Sequence, residues 1–251
     1  MKKVPSLFVA NWKMAKTFNE SQQFWHTAAL ELVALAEHDI RIIVAPTYLA
    51  ITQAVSSAGR AIAVAAQDCS SHARGAYTGQ VDAASLAQAG CKYVILGHSE
   101  RRQEGDTNET IQAKLTQALS AGLIPILCVG ESALDNDSSG TIEALKEQLV
   151  VLNQVAGAWQ QVIIAYEPQW AIGAGVTPSA DHLVTIAKEI TRFASHHGSS
   201  QSVLLYGGSI DEHSCQPIAS LGLFDGFLVG SASLDFKKFQ NIVSLSRMLK
   251  K

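Results

Sequence analysis

The chain has 251 residues, 47% of them hydrophobic and 16% charged, so it can bury a large core as one big domain or two small ones. Its net charge is −3 and its lysines and arginines are scattered, which argues against nucleic acid and anionic membranes as partners. No apolar run is long enough to span a membrane, and no signal-peptide pattern follows Met1, so we expect a cytoplasmic protein. Four widely spaced cysteines without a CxxC pair fit reduced thiols better than a disulfide or zinc framework.

Eight short apolar segments rich in β-branched residues alternate with longer segments that have helical spacing, such as the one containing Phe24, Leu32 and Leu35. The predicted strands are residues 7–10, 40–45, 61–65, 93–96, 124–129, 162–166, 203–206 and 226–229. Uninterrupted alternation predicts parallel strands joined by right-handed crossovers, and continuous apolar runs indicate strands covered on both faces. Eight such units in about 250 residues predict an α/β fold, a single (β/α)8 barrel domain over residues 1–251 with no second domain.

A doubly wound open sheet is the alternative fold. It predicts a glycine-rich turn directly after the first strand. Residues 11–14 at that place, with the sequence NWKM, contain no glycine. No linker rich in proline, serine or glycine divides the chain either, so the barrel is favoured.

Reactive side chains follow three of the predicted strands, at the end where barrel active sites form. Asn11 and Lys13 follow the first strand, His98 and Glu100 follow the fourth, and Glu167 follows the sixth. Each residue alone has an ordinary explanation, such as a solvated lysine or a helix cap. Their shared position at one mouth of the barrel favours a common site.

Glycine and serine follow the seventh and eighth strands. Ser209 comes after two glycines, and Gly230 precedes Ser231, so backbone N–H groups are free for a phosphate to approach closely. With Lys13 across from these loops, a phosphorylated small substrate is the expected ligand. The sequence has no metal-ligand cluster, Walker loop or dinucleotide fingerprint, so we expect neither metal nor organic cofactor.

The stretch after the sixth strand changes from rigid to flexible. Glu167 is followed by Pro168 and Trp170, and then by two glycines, Gly173 and Gly175, on either side of Ala174. A carboxylate beside a loop that can close over it has the features of a general base shielded from water. An ordinary glutamate in a strand-to-helix turn is the alternative for this motif alone.

Eight blocks of this sequence resemble the triosephosphate isomerase family. They are NWKM (11–14), GAYTG (75–79), GHSERR (97–102), CVGE (128–131), YEP (166–168), WAIG (170–173), YGGS (206–209) and DGFLVG (225–230). They cover the chain in the family's order and spacing. The resemblance implies a TIM barrel that interconverts dihydroxyacetone phosphate and glyceraldehyde 3-phosphate without a cofactor, as in glycolysis and gluconeogenesis.

The resemblance also implies roles for individual residues. Glu167 would move a proton between C1 and C2, and His98 would polarise the carbonyl as a neutral imidazole. Lys13 and Asn11 would stabilise the enediolate, while Glu100 would orient Lys13. The phosphate would be held by backbone N–H groups of Gly173, Ser209, Gly230 and Ser231. The lid would contain Pro168, Trp170, Ala174 and Gly175.

The family forms homodimers, in which the third loop of one subunit reaches the active site of the other. The resemblance implies that Thr78 crosses to Asn11 and Glu100 of the neighbour. A self-contained surface loop is the alternative.

Some residues differ from the usual family pattern. In the lid, Gln169, Ala174, Val176 and Pro178 differ, which puts the kinetics of closure in question more than the chemistry. Ser231 replaces a glycine in the phosphate-binding loop, which raises the question of its backbone conformation. Gln80 replaces a glutamate that normally pairs with the arginine at position 101, and Ala15 replaces a common asparagine, so the dimer contact is expected to be weaker.

Two further functions are compatible with the same barrel. One is a paralogue with the same proton-transfer groups that acts weakly or on another small phosphosugar. The other is a non-enzymatic phosphosugar-binding or structural protein; a binding protein would need the phosphate loops but not the base at Glu167.

Overall fold

The computed structural model describes residues 3–36, 39–134, 138–173, 175–199 and 202–249, without the side chains of 246 and 247. Eight parallel strands close into a barrel in sequence order, with β8 paired to β1. The strands are β1 (Leu7–Asn11), β2 (Arg41–Ala45), β3 (Ile62–Ala66), β4 (Tyr93–Leu96), β5 (Ile124–Val129), β6 (Ile163–Tyr166), β7 (Leu204–Tyr206) and β8 (Gly226–Val229). The predicted (β/α)8 barrel is confirmed, and closure of the sheet rules out the open doubly wound alternative.

Helices lie between the strands, and the described residues contain both α-helices and short 3₁₀ helices. The α-helices are α1 (Phe18–Leu35), α2 (Ile51–Ala58), α3 (Ala83–Gln88), α4 (Ser99–Gln103), α5 (Asn108–Ser120), α6 (Ser139–Leu149), α7 (Ala158–Gln161), α8 (Ala180–His196), α9 (Cys215–Ser220) and α10 (Phe236–Leu249). The 3₁₀ helices are Tyr48–Ala50, Val150–Gln154, Gln169–Ala171 and Ser231–Leu234. Within these described ranges, no helix is both long and apolar enough to cross a lipid bilayer.

All eight predicted strands are present, and no strand bound differs from its prediction by more than one residue. The first strand is one residue longer than predicted because Asn11 pairs with Ala45 of β2. Pairing therefore carries Asn11 to the last position of the strand, at the mouth of the barrel.

The apolar residues form two layers because successive side chains of a strand point to opposite faces. In β1, Leu7 and Val9 belong to the cluster inside the barrel, whereas Phe8 and Ala10 pack in the layer between barrel and helices. Both layers are buried, which explains why the strands are continuous apolar runs rather than alternating ones.

Local signals in the sequence set where helices begin. Thr17 caps α1 through a capping box, in which its hydroxyl accepts the Glu20 N–H at 3.3 Å and the Glu20 carboxylate accepts the Thr17 N–H at 2.8 Å. Ser179 caps α8 by accepting the backbone N–H of His182 at 3.2 Å. These caps fix the points at which the long loops after β1 and β6 end, and both loops border the site described next.

Candidate active site

The reactive side chains lie together at the carboxyl-terminal mouth of the barrel. Asn11 is the last residue of β1, His98 lies two residues beyond β4, and Glu167 directly follows β6. All three are at least 95% buried, with exposed fractions of 5%, 5% and 2%. Buried polar groups at strand ends are costly unless they have partners, so their contacts decide what the site can do.

The Glu167 carboxylate contacts the loop after β4. Its Oε1 lies 3.4 Å from His98 Nε2, and its Oε2 accepts the Ser99 N–H at 3.4 Å. The space it occupies requires glycine nearby, because a Cβ at Gly207 would lie 2.9 Å from Glu167 Cγ. Beneath it, burial and the charge of Glu167 raise the pKa of Cys128. The carboxylate therefore sits in a closely fitted, largely water-free position.

The His98 ring has a defined tautomer. Its Nδ1 accepts the backbone N–H of Glu100 at 3.2 Å, so the side chain caps the short helix α4. A nitrogen that accepts a hydrogen bond carries no proton, so the proton of the neutral ring is on Nε2. That N–H faces Glu167 and the cavity, where it can donate to a substrate oxygen.

Lys13 is held in a strained backbone conformation. Its φ is 50°, in the left-handed region that costs a non-glycine residue about 1 kcal/mol. Asn11 Oδ1 accepts the Lys13 N–H at 3.1 Å, and Gln67 Nε2 donates to the Lys13 carbonyl at 2.8 Å. The Lys13 ammonium lies 2.7 Å from the Glu100 carboxylate. The lysine is thus fixed at its backbone and at its charged end.

Gln67 was not predicted from the sequence. It follows β3 at the same mouth, and its amide also donates to the carbonyl of Ala45 at 3.0 Å. The sequence offered one signal for Gln67, which is that a polar residue directly follows a buried strand. No recognisable motif surrounds it.

A cavity of about 260 Å³ joins most of the predicted residues. It is lined by Asn11, Lys13, His98, Glu167, Gly173, Ser209, Gly230 and Ser231. Ser231 begins a 3₁₀ helix and is not among the described residues with positive φ, so serine fits this position without backbone strain. The cavity therefore places a carboxylate, an imidazole and an ammonium together with the glycine- and serine-containing loops that follow β7 and β8.

The lid begins as a short 3₁₀ helix bound to the loop after β5. The Gln169 N–H donates to the Glu131 carbonyl at 3.0 Å, and its side-chain amide donates to the Gly130 carbonyl at 3.3 Å. Trp170 Nε1 donates to Glu131 Oε1 at 2.6 Å. Pro168 is buried at the start of this turn. Glutamine at 169 thus adds a hydrogen bond that an apolar residue could not make.

The second half of the lid is more open. Gly173 and Gly175 have φ of 69° and 67°, which glycine adopts without strain. Val176 is 49% exposed, whereas Pro178 is buried and precedes the cap of α8. Ala174, also a predicted lid residue, lies outside the described residues. Two left-handed glycines between two anchored ends have the features of a hinged loop.

Comparisons with known proteins identify the family to which this barrel belongs. The family model for triosephosphate isomerase matches residues 6–246. The chain belongs to the triosephosphate isomerase family. A triosephosphate isomerase of Paracidovorax citrulli is 38% identical over 245 residues, which cover 95% of this chain and 97% of the relative. One from Trichlorobacter lovleyi is 39% identical over 248 residues, covering 94% and 97%, and one from Mesomycoplasma hyopneumoniae strain 232 is 34% identical over 247 residues, covering 97% and 99%.

Arg101 has partners within its own chain, although Gln80 replaces the glutamate usual in triosephosphate isomerases. Arg101 Nε lies 3.1 Å from Asp68 Oδ2, and Nη1 pairs with Glu104. Gln80 instead accepts a hydrogen bond from the Ser70 hydroxyl at 2.5 Å. The charge of the arginine is therefore balanced without a glutamate at position 80.

Thr78 lies at the exposed tip of the loop between β3 and α3. In that loop, the rings of His72 and Tyr77 stack at 3.8 Å.

Across the described part of the chain, no group of three or more histidine, cysteine, aspartate or glutamate side chains has an arrangement that could hold a metal ion.

Proposed function

We propose that the chain is an active triosephosphate isomerase, which interconverts dihydroxyacetone phosphate and D-glyceraldehyde 3-phosphate. The observation that carries this proposal is the meeting of Glu167, the Nε2–H of His98 and the Lys13 ammonium around one cavity. A binding protein would need the cation and the phosphate loops but not a buried carboxylate beside an imidazole.

In the proposed mechanism, Glu167 removes a proton from the carbon next to the substrate carbonyl. The electron pair of that C–H bond forms the double bond of an enediolate, whose oxygen receives a hydrogen bond or proton from His98 Nε2–H. Asn11 and Lys13 stabilise the negative charge. Glu167 then returns the proton to the adjacent carbon, and His98 regains its proton from the second oxygen, so no external acid or base is consumed.

The phosphate would be bound by backbone N–H groups of Gly173, Ser209, Gly230 and Ser231. The support is that all four residues line the same cavity as Lys13, and that a Cβ at Gly230 would lie 3.7 Å from Lys13 Cε. Backbone N–H groups and one ammonium are suited to a phosphate dianion.

Closure of the lid would accompany movement of the base. Glu167 Oε1 lies 3.4 Å from His98 Nε2, which leaves no room for a substrate carbon and its oxygen between them. Glu167 directly precedes Pro168 and the 3₁₀ turn of the lid, so a shift of the lid also repositions the carboxylate. Exclusion of water by the closed lid would protect the enediolate from loss of phosphate.

The test is steady-state isomerisation of glyceraldehyde 3-phosphate by the wild-type protein beside the Glu167→Gln variant. Loss of a general base should lower turnover by about 10²- to 10⁴-fold. Glu143→Gln, an exposed substitution on α6, is the matched control and should be silent. Slow turnover by the folded wild type, with faster turnover of a longer ketose phosphate, would favour the paralogue instead.

We also propose a cytoplasmic homodimer, with residues 1–251 of each subunit forming one barrel domain. The support for a dimer is a second cavity of about 550 Å³ that shares Asn11, Lys13 and His98 with the substrate cavity. Met14 lines it and is 93% exposed, and Tyr77, next to Thr78, is 43% exposed. Exposed apolar side chains such as these two are typical of an interface.

Substitution of Thr78 by arginine tests the dimer. A long charged side chain at the loop tip should separate the subunits in sedimentation velocity and lower turnover, because the second cavity borders the catalytic residues. Thr27→Arg, on the exposed face of α1, is the control. A stable, fully active Thr78→Arg monomer would remove the proposal that the loop completes the neighbouring site.

A further inference from the structure

A chain of buried polar side chains connects helix α8 to the lid. Ser138 Oγ lies 3.1 Å from His182 Nδ1, and His182 Nε2 lies 2.9 Å from the Tyr166 hydroxyl. The Tyr166 hydroxyl donates to Glu131 Oε1 at 3.1 Å, and the same oxygen accepts the Trp170 indole N–H at 2.6 Å. Neither Ser138 nor His182 takes part in the proposed chemistry, yet both are buried.

The number of available protons fixes which group donates in each of these hydrogen bonds. The Tyr166 hydroxyl has a single proton, which it gives to Glu131, so it must accept the proton of His182 Nε2. In the neutral ring Nδ1 is then the acceptor, and the Ser138 hydroxyl is its donor. If the ring took the other tautomer, Nε2 would compete with Glu131 for the Tyr166 proton. With its proton on Nε2, His182 leaves the tyrosine proton to Glu131 and adds a donor to the tyrosine hydroxyl.

The position of Trp170 depends strongly on its hydrogen bond to Glu131. One side of the indole borders a cavity of about 430 Å³, which is also lined by Val176, Pro178 and His182. A side chain packed on every side is held by its neighbours, but one beside a cavity depends more on its hydrogen bond. Glu131 needs fixing in turn, because its Oε2 is buried without a hydrogen-bond partner.

We propose that His182 is a positioning residue for the lid, acting through the Tyr166 hydroxyl on Glu131 and so on Trp170. Its Nε2–H directs the tyrosine proton toward Glu131, and this second donor holds the carboxylate oriented to accept the indole. The result is a more stable bound position of Trp170 and a larger cost of lid movement. The inference rests on the isomerase function proposed above.

The first experiment measures the lid without turnover. Protein labelled with 5-fluorotryptophan has four fluorine resonances, one for each tryptophan, and Trp170→Phe identifies that of the lid. Loss of one hydrogen bond in His182→Leu should shift the populations reported by this resonance by about 2- to 10-fold away from the Glu131-bound position. His182→Gln keeps an N–H donor at the same end of the side chain and should behave as the wild type.

Binding gives a second readout. 2-Phosphoglycolate, whose planar carboxylate mimics the enediolate, should bind the closed lid, so a weaker bond to Glu131 should make it bind His182→Leu more tightly by about 2- to 10-fold. His182→Met is a second apolar variant if the leucine variant does not fold. His196→Leu, at the exposed end of the same helix α8, is the control for an apolar substitution.

A double-variant cycle separates this role from simple packing. Tyr166→Phe removes the hydroxyl through which His182 acts, so His182→Leu should shift the Trp170 resonance less in that background than in the wild type. The remaining shift would come from the direct contacts of His182, which lies edge-on to the Trp170 ring at 6.3 Å and has its Nε2 3.8 Å from Glu131 Oε1. Additive effects, a silent apolar substitution, or a glutamine variant as altered as the leucine variant would each overturn the proposal. Turnover by the wild type tests the isomerase function by itself. Failure of that proposal can therefore be distinguished from failure of the proposal about His182.

Discussion

We expect Gln67 to contribute to activity, although it binds the backbone of Lys13 and is not among the residues that line the substrate cavity. Its amide donates to the carbonyls of Lys13 and Ala45, which holds Lys13 at a φ of 50°. Gln67→Met keeps the length of the side chain and removes both donors. Two lost hydrogen bonds are worth about 1 to 3 kcal/mol together, and the left-handed backbone could then relax. If this free energy is lost from the stabilisation of the transition state, kcat/KM should fall about 5- to 150-fold.

The assay is steady-state turnover of dihydroxyacetone phosphate, with KM and kcat determined separately. Gln67→Glu retains the shape but offers no N–H, so it should be at least as impaired as the methionine variant. Gln103→Met, at the exposed end of α4, is the control. In a Lys13→Met background the Gln67 substitution should have little further effect on kcat/KM, because the ammonium that the held backbone positions is already gone, although the carbonyl that Gln67 binds remains. Wild-type kinetics in Gln67→Met, or full additivity with Lys13→Met, would refute this reasoning.

Three further outcomes are expected. Burial raises the pKa of Cys69 to about 12 and of Cys91 and Cys215 to about 11, so the native thiols should react with iodoacetamide at pH 8 far more slowly than in urea. Burial also raises the pKa of Glu131, so its ionisation destabilises the fold as pH rises from the ordinary carboxylate pKa through the raised one. Glu131→Gln should therefore increase the free energy of unfolding above that range and not below it, and urea titrations showing the reverse would contradict this. Gln80→Glu should change the dissociation constant of the proposed dimer by less than about 5-fold in sedimentation equilibrium, because Arg101 is already paired within its own chain; strong tightening would contradict this.

The sequence alone was enough to predict the barrel and to place Asn11, His98 and Glu167 at one mouth of it. Strands and helices of this fold follow from local hydrophobic periodicity, which is why no strand bound moved by more than one residue. Because parallel strands of a barrel end at the same mouth, Asn11, His98 and Glu167 could be expected to meet before any contact was known.

The hydrogen bonds that hold those residues were decided by the tertiary structure. Gln67 reaches Lys13 across 54 positions of sequence, and Trp170 reaches Glu131 across 39. Arg101 finds Asp68 at the end of another strand rather than a glutamate at position 80. Such contacts depend on the stagger and closure of the barrel, which bring side chains of distant loops within hydrogen-bonding distance. Local periodicity determines that strands form, but side-chain partners are fixed only once all eight strands are in register.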